Sequence, residues 1–383
     1  CEETGRLEAA AEAFRKLTLD HPSYSGAVDA YYRLGKNLFN AGFLDEAENA
    51  FYNYIENAPH NADSYDQALF FLERISFRKG RYSAETEIVE NFVSKYPSSR
   101  LAPKLLLDLA RLYRLSGEPE RANEKYRIIL TRHARSDYAD SALFYYADTY
   151  VAQNRPDQAI TFLREIAYQR RNTALIQASY YKLGMLGEEM QLPDEAIAWY
   201  DSAVAVGASS DLTVRSLMGV ARCYHEVNRW LDSSRTYERI LKSYPNTPQR
   251  ADVHYSLAGV YYLMGRVNDA IQTARDGLRF AKGKRKTDML VFLADVYEYI
   301  DPDQSIRYYS DIWSDIGNSP ETRAEALLKI GDIFMRKGDR KSALEAYARI
   351  INSATNSPYR EKALKRLDEI TGSTDLPDSS KPQ

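Results

Sequence analysis

The 383-residue sequence predicts an all-α fold, a right-handed superhelical solenoid built from helix-turn-helix repeats. Three observations predict it. A short phrase returns at nearly constant spacing, other positions move in step with that phrase, and Gly and Pro (18 and 14 residues) are scarce enough to leave mostly helices and short turns.

The phrase is clearest at Gly42-Phe43-Leu44-Asp45-Glu46-Ala47, and it returns at Gly117 to Ala122, Gly265 to Ala270 and Gly338 to Ala343. Taking its last residue as an anchor, the copies fall at Ala10, Ala47, Glu85, Ala122, Ala159, Ala196, Ser233, Ala270, Ser305 and Ala343. The steps between anchors are 37, 38, 37, 37, 37, 37, 37, 35 and 38 residues, a period chance does not produce.

Twelve residues before the anchor stands a small residue: Gly35, Ala110, Ala147, Gly184, Ala221, Ala258 and Gly331, with Ala294 eleven before and Glu73 as the exception. Four residues after it stands a bulky one, Phe14, Phe51, Tyr126, Leu163, Tyr200, Tyr237, Tyr309 and Tyr347, with Val89 and Ala274 as weaker versions. Each repeat carries two stretches with apolar residues at helical spacing, such as Leu105, Leu109, Leu112 and Tyr113. Between them lies a Gly or Asn that accepts the positive φ ending a helix. The small positions should let two helix backbones approach, and the bulky one should fill space toward the next repeat. Pro22, Pro59, Pro97 and Pro245 close the second helices.

With the aromatic near the end of the first helix (Tyr113, Tyr150, Tyr224, Tyr261, Phe334), this set resembles the tetratricopeptide repeat, from Gly5 to about Ile370. Two features depart from that family: a period nearer 37 than the usual ~34 residues, and no tryptophan near the start of the first helix. The loop phrases Tyr96-Pro97-Ser98-Ser99 and Tyr244-Pro245-Asn246-Thr247 also resemble the bacterial cell-envelope branch, which includes outer-membrane-assembly lipoproteins and Tol-associated periplasmic proteins.

The expected organisation is a single solenoid over 1–370 of about ten repeats, the first incomplete, with a capping helix over 359–370 and a Ser/Pro/Asp-rich disordered tail over 371–383. Two readings of Cys1 stay open. It is either the lipidated first residue of a mature lipoprotein or a cysteine late in a truncated first helix, the place Cys223 occupies in its own repeat.

Composition limits function. A net charge of -3 gives no global pull toward nucleic acid or anionic membrane. Two cysteines cannot make a disulfide framework, and no apolar run approaches the ~20 residues of a membrane-spanning helix. The histidines (His21, His60, His133, His225, His254) are scattered without metal-ligand spacing, and His21, His60 and His133 in inter-repeat loops suit solvated positions better than metal ligation. No phosphate loop, nucleophile elbow or acid/base pair stands out, so no catalytic, cofactor-binding or metal-binding residue is expected. The cluster Lys282, Lys284, Arg285, Lys286 reads as a solvated inter-repeat loop, with docking of an acidic partner or headgroup as the lesser reading.

In the family that the pattern resembles, first helices line an inner groove. That resemblance implies a groove row fifteen residues before each anchor (Tyr32, Phe70, Leu107, Phe144, Tyr181, Met218, Tyr255, Val291, Leu328) and another eleven before (Lys36, Arg74, Arg111, Asp148, Met185, Arg222, Gly259, Asp295, Asp332). The first row packs between helices in the competing reading. Arg78 and Arg114 strengthen the basic end of the second row, and Tyr262 adds an aromatic near Tyr255. The face should run from basic to acidic along the chain.

The function this implies is a non-enzymatic scaffold binding a partner peptide or domain, in cell-envelope assembly or maintenance, in the periplasm or as an outer-membrane lipoprotein. Membrane contact would come only through lipidation of Cys1. Two alternatives are a cytoplasmic interaction region of a longer multidomain protein and the substrate-recognition part of an enzyme whose catalytic domain lies elsewhere.

Overall fold

The computed structural model describes residues 7–24, 26–59, 64–79, 82–170, 172–353 and 357–372, the side chains at 77, 82–85, 87, 88 and 371 aside. Among them are twenty helices and no strand. The chain divides into two compact units, residues 1–179 and 180–383. The first holds α1 (Leu7–Asp20), α2 (Ala27–Ala41), α3 (Leu44–Asn57), α4 (Tyr65–Arg78), α5 (Tyr82–Lys95), α6 (Ala102–Leu115), α7 (Pro119–Arg132), α8 (Ala139–Ala152) and α9 (Pro156–Gln169). Helix α10 (Thr173–Glu189) contains the division. The second unit continues with α11 (Pro193–Val206), α12 (Ser210–Glu226), α13 (Trp230–Ser243), α14 (Arg250–Leu263) and α15 (Val267–Leu278). It ends with α16 (Gly283–Tyr297), α17 (Pro302–Ser314), α18 (Pro320–Arg336), α19 (Arg340–Ser353) and α20 (Pro358–Thr371). Within each unit consecutive helices pack together. Alternate helices also touch: α2 on α4 and α6 on α8 in the first unit, α14 on α16 and α18 on α20 in the second. This is the stacking of helix pairs that makes an α-solenoid.

The turns explain where the first helices stop. Gly42, Gly117, Gly265 and Gly338 take φ of 91°, 78°, 73° and 79°, and Asn154 and Asn228 take 56° and 60°. Gln191 does the same at 57° without a Gly or Asn to mark it. The residue after the left-handed one donates its N–H five residues back: Glu118 to Tyr113 O at 2.8 Å, Arg155 to Tyr150 O at 2.9 Å, Arg229 to Tyr224 O at 2.8 Å and Asp339 to Phe334 O at 2.9 Å. This bond satisfies a terminal carbonyl. The accepting residues are the recurrent aromatics. Where the donor is arginine its guanidinium folds back over the same ring, Arg155 on Tyr150, Arg229 on Tyr224 and Arg266 on Tyr261, at 5.1, 4.4 and 4.3 Å. The hydroxyls reach the preceding repeat: Tyr113 donates to Glu90 at 3.0 Å and Tyr261 to Glu238 at 2.7 Å. Burial, then those carboxylates, push both phenols up to about 12.

The small residue does more than bring backbones together. A Cβ on Gly35 would lie 2.9 Å from the Phe51 ring, and one on Gly184 would lie 2.5 Å from the Tyr200 ring. The small position is therefore the seat of the bulky residue of its own repeat. Tyr200 also touches the following repeat, where a Cβ on Gly219 would come within 2.5 Å of the ring. Phe51, Tyr126, Tyr200, Tyr347 and Leu163 are fully buried. Serine replaces alanine at two anchors without leaving a stranded hydroxyl: Ser233 and Ser305 are buried and donate to Ala221 O and Ala294 O, both at 2.7 Å. Ser305 therefore keeps the packing of its repeat despite the shortened step.

Helix α20 closes the second unit, with Ala363 buried and Tyr359, Leu367 and Ile370 packed on the core of α18 and α19. Cys1, the tail beyond 372 and the Glu85 side chain lie outside the described residues.

Candidate functional site

The row fifteen before the anchor lies at the border between core and surface. Tyr32, Phe70, Phe144, Tyr181, Met218, Tyr255, Val291 and Leu328 are half-buried, while Leu107 is core at 5% exposure. Tyr32 packs on Phe51, Tyr54 and Phe71 and donates to Gln67 Oε1 at 2.6 Å; Tyr181 packs on Tyr200 with ring centroids 5.8 Å apart. These side chains both hold helices together and show one edge to solvent.

In the unit of residues 1–179, the row eleven before the anchor carries exposed Lys36 and Arg111 and half-buried Arg74. Several cations of this face lie over aromatic rings. Arg78 covers Phe39 at 4.3 Å, Lys104 covers Phe70 at 3.9 Å, and Arg111 and Arg114 share Tyr145 at 4.8 and 5.6 Å. Asp108 lies 3.9 Å from Arg111; burial raises its pKa against the pull of Lys104, Arg111 and Arg74. Beneath this patch the Tyr126 hydroxyl is buried without a hydrogen-bond partner, and burial pushes its pKa up.

In the unit of residues 180–383 the same register carries a different arrangement. Three of the unit's buried tyrosines donate to a carboxylate on their own first helix, and a cation of the following repeat lies beside that carboxylate. Tyr200 donates to Glu188, which takes Arg222 in a two-pronged pair at 3.0 and 2.9 Å. Tyr309 donates to Asp295 at 2.5 Å, and Lys329 lies 3.8 Å away. Tyr347 donates to Asp332 at 2.8 Å, and Arg366 of α20 does so at 3.0 Å. The late acidic residues of the expected charge run therefore have partners within the protein. The acidic residues are present, and each accepts from a tyrosine and lies beside a cation of the following repeat, with Asp295 still exposed. Arg222 likewise pairs with Glu188. The basic loop of residues 282–286 is also revised: Arg285 and Lys286 belong to the first turn of α16, where Arg285 meets Asp252 at 2.6 Å and lies over Tyr255, and Lys286 meets Asp315 at 3.3 Å.

A cavity of about 390 Å³ opens on α12, α14 and α16. It gathers three of the predicted residues, Arg222, Tyr255 and Tyr262, and adds His225, Leu263 and Phe292. Gly259 opens its floor: a Cβ there would meet nothing within 4 Å, unlike one on Gly184. The sequence places Gly259 in the row but assigns it no role, and it does not point to Lys104 or Tyr145. Lys104 is one turn from Asp108 and Tyr145 follows Phe144, so only the packing of α6 against α8 reveals them.

Among the described residues no group of His, Cys, Asp and Glu is placed to hold a metal ion, and no helix is long and apolar enough to cross a membrane. Cys223 is buried in the core of α11 and α12, where burial pushes its thiol up to about 12, far from a reactive thiolate.

Comparison with known proteins follows the architecture. Family descriptions of the tetratricopeptide repeat match residues 2–62, 107–174 and 221–284, others match 325–357 and 178–206, and no curated protein matches the chain. The chain is similar to a signal-transduction ATPase with a tetratricopeptide repeat sensor from Pyrococcus horikoshii, with 13% identity over 91% of this chain and 56% of that one, at a TM-score of 0.53. It is also similar to a tetratricopeptide repeat protein from Parabacteroides merdae (16% identity, 80% of this chain, 99% of that one, TM-score 0.42). A third is pilF of Pseudomonas aeruginosa (17% identity, 60% of this chain, 98% of that one, TM-score 0.42). At such identities the likeness concerns the fold.

Proposed function

We propose that this chain, which belongs to the tetratricopeptide repeat family, is a protein-interaction scaffold whose first unit captures an extended acidic segment of a partner protein. The observation that carries this reading is the set of cations laid over aromatic rings on α2, α4, α6 and α8. Arg78, Lys104, Arg111 and Arg114 are held in place by Phe39, Phe70 and Tyr145, and their outward N–H groups point to no carboxylate ladder of the kind that α10 to α20 contain. Ring contact fixes each cation at little cost in side-chain freedom, which favours bidentate capture of carboxylates.

Titration with a fluorescent Glu-rich peptide and with a Lys-rich control tests it. The acidic peptide should bind, weaken with salt, and lose at least about tenfold in affinity in Arg111→Glu/Arg114→Glu at unchanged melting temperature. Equal affinity in the variant and the native protein would remove the reading.

A second contact is favoured by the open floor at Gly259. The cavity around it would take one aliphatic or aromatic side chain of a partner between Tyr255, Tyr262 and Phe292. Gly259→Leu fills it without disturbing any neighbour, and should abolish that contact alone. A place in the bacterial cell envelope is proposed on the loop phrases at Tyr96 and Tyr244, with fractionation of the producing cell and radiolabelled palmitate incorporation at Cys1 as the checks.

A further inference from the structure

The turns between repeats form a second kind of surface, and one of them departs from its neighbours. The turns after α5 and α7 occupy the same place in successive repeats, so that Tyr96, Ser98 and Ser99 correspond to His133, Arg135 and Ser136. In the first of these turns Ser99 donates its hydroxyl to Asp66 of α4 at 2.6 Å. One repeat later the position of Asp66 is taken by Pro103, which has no acceptor to offer. One repeat further it is Asp140, which again accepts, from Arg170 at 3.4 Å. Only the middle turn has lost its acid.

The consequences are visible at that turn. The Ser136 hydroxyl and His133 Nε2 are buried without a hydrogen-bond partner. Ser136, His133 and Pro103 line a cavity of about 630 Å³ together with Arg100, Arg132 and Arg135. Among the described residues none of these three arginines pairs with a carboxylate, and Asp137 is the only acid in the described lining. Donors therefore outnumber acceptors, and the Ser136 hydroxyl and His133 Nε2 are already withdrawn from water. A site in this condition is satisfied by an anion with several oxygens, since each oxygen can accept from a different group.

We propose that the cavity between the turns at Ser98–Arg100 and Arg132–Tyr138 binds a phosphate group, with Arg100, Arg132 and Arg135 neutralising its charge and Ser136 and His133 completing its hydrogen bonds. The missing acidic side chain at Pro103 is what leaves the place vacant for an external anion. This site is separate from the first-helix face and does not depend on the peptide reading.

The test uses the full chain with two probes, inorganic phosphate followed by calorimetry and by the His133 imidazole signal, and phosphatidylcholine vesicles containing phosphatidic acid followed by sedimentation. Saturable binding of the soluble probe, with a shift of His133, marks a soluble phosphate ligand; capture only on the acidic vesicles marks a lipid headgroup. In either arm Arg100→Gln/Arg135→Gln should bind at least about tenfold more weakly. Pro103→Asp restores the acceptor present in both neighbouring repeats. It should keep the melting temperature and abolish binding. Absence of binding in both arms, or a folded Pro103→Asp that binds as the native protein does, would overturn the proposal.

Discussion

The first-helix faces of the two units are built on one register and solve opposite problems with it. In residues 180–383 the buried tyrosines at 200, 309 and 347 find carboxylates at Glu188, Asp295 and Asp332, and Arg222, Lys329 and Arg366 neutralise those carboxylates from the next helix pair. In residues 1–179 the corresponding places hold Phe51, whose ring needs no partner, and Tyr126, whose hydroxyl has none, beside the cations of residues 74, 111 and 114. One face spends its charges on holding repeats together. The other lays cations over aromatic rings, Arg111 and Arg114 on Tyr145 among them. The difference teaches that charged residues in a repeat protein must be judged with the partner about one period away before they are assigned to binding.

The comparison breaks most visibly at the aromatic seats. Gly184→Leu drives a side chain into Tyr200 and should cost about 3 kcal/mol in urea unfolding, whereas Gly259→Leu, in the same unit but facing open space, should cost almost nothing. Similar midpoints for the two variants would refute the packing account. A smaller effect separates the units directly. Tyr200→Phe removes a hydroxyl that serves Glu188 and should destabilise by about 1–2 kcal/mol, while Tyr126→Phe removes a hydroxyl with no partner and should be neutral or slightly stabilising.

High pH should act on both units together. Tyr113 and Tyr261 titrate near 12 in the fold and at the ordinary phenol value of 10.0 when unfolded. Above pH 10 the unfolded chain releases protons that the folded chain keeps, so stability is complete below pH 10 and is lost as pH rises from there through 12. Urea midpoints across that window should fall, and Tyr113→Phe/Tyr261→Phe should flatten the fall. The smallest expected change is at the serine anchors: Ser233→Ala or Ser305→Ala restores the commoner residue and removes one bond to a carbonyl already within a helix, altering stability by about 0.5 kcal/mol or less.

Much of the fold was legible in the residues because its determinants are local. Gly or Asn at the turn, the aromatic five residues before the turn's exit and the apolar positions at helical spacing act within one helix pair. The small position was recognised, but its partner was not: Gly35 seats Phe51 of the same repeat, a contact between helices that the sequence lists only as two separate columns. The candidate site was legible as rows and illegible as contacts. Arg222 and Glu188 are 34 residues apart, and Asp332 and Arg366 are separated equally. A search three residues short of one period would have paired them. Lys104 over Phe70 and Arg114 over Tyr145 follow no such rule.

The amino-acid sequence by itself determined the repeat, its register and its turns, because helix periodicity and the φ demanded by a turn depend on residues close along the chain. It also determined that bases concentrate in the first-helix rows of the early repeats and acids in those of the late ones. Only the tertiary structure decided which of those charges remain available. Stacking the repeats brings each row against the next, and there a carboxylate takes a hydrogen bond from a buried tyrosine and pairs with a cation of the next repeat. A guanidinium held on an aromatic ring still has its N–H groups to give.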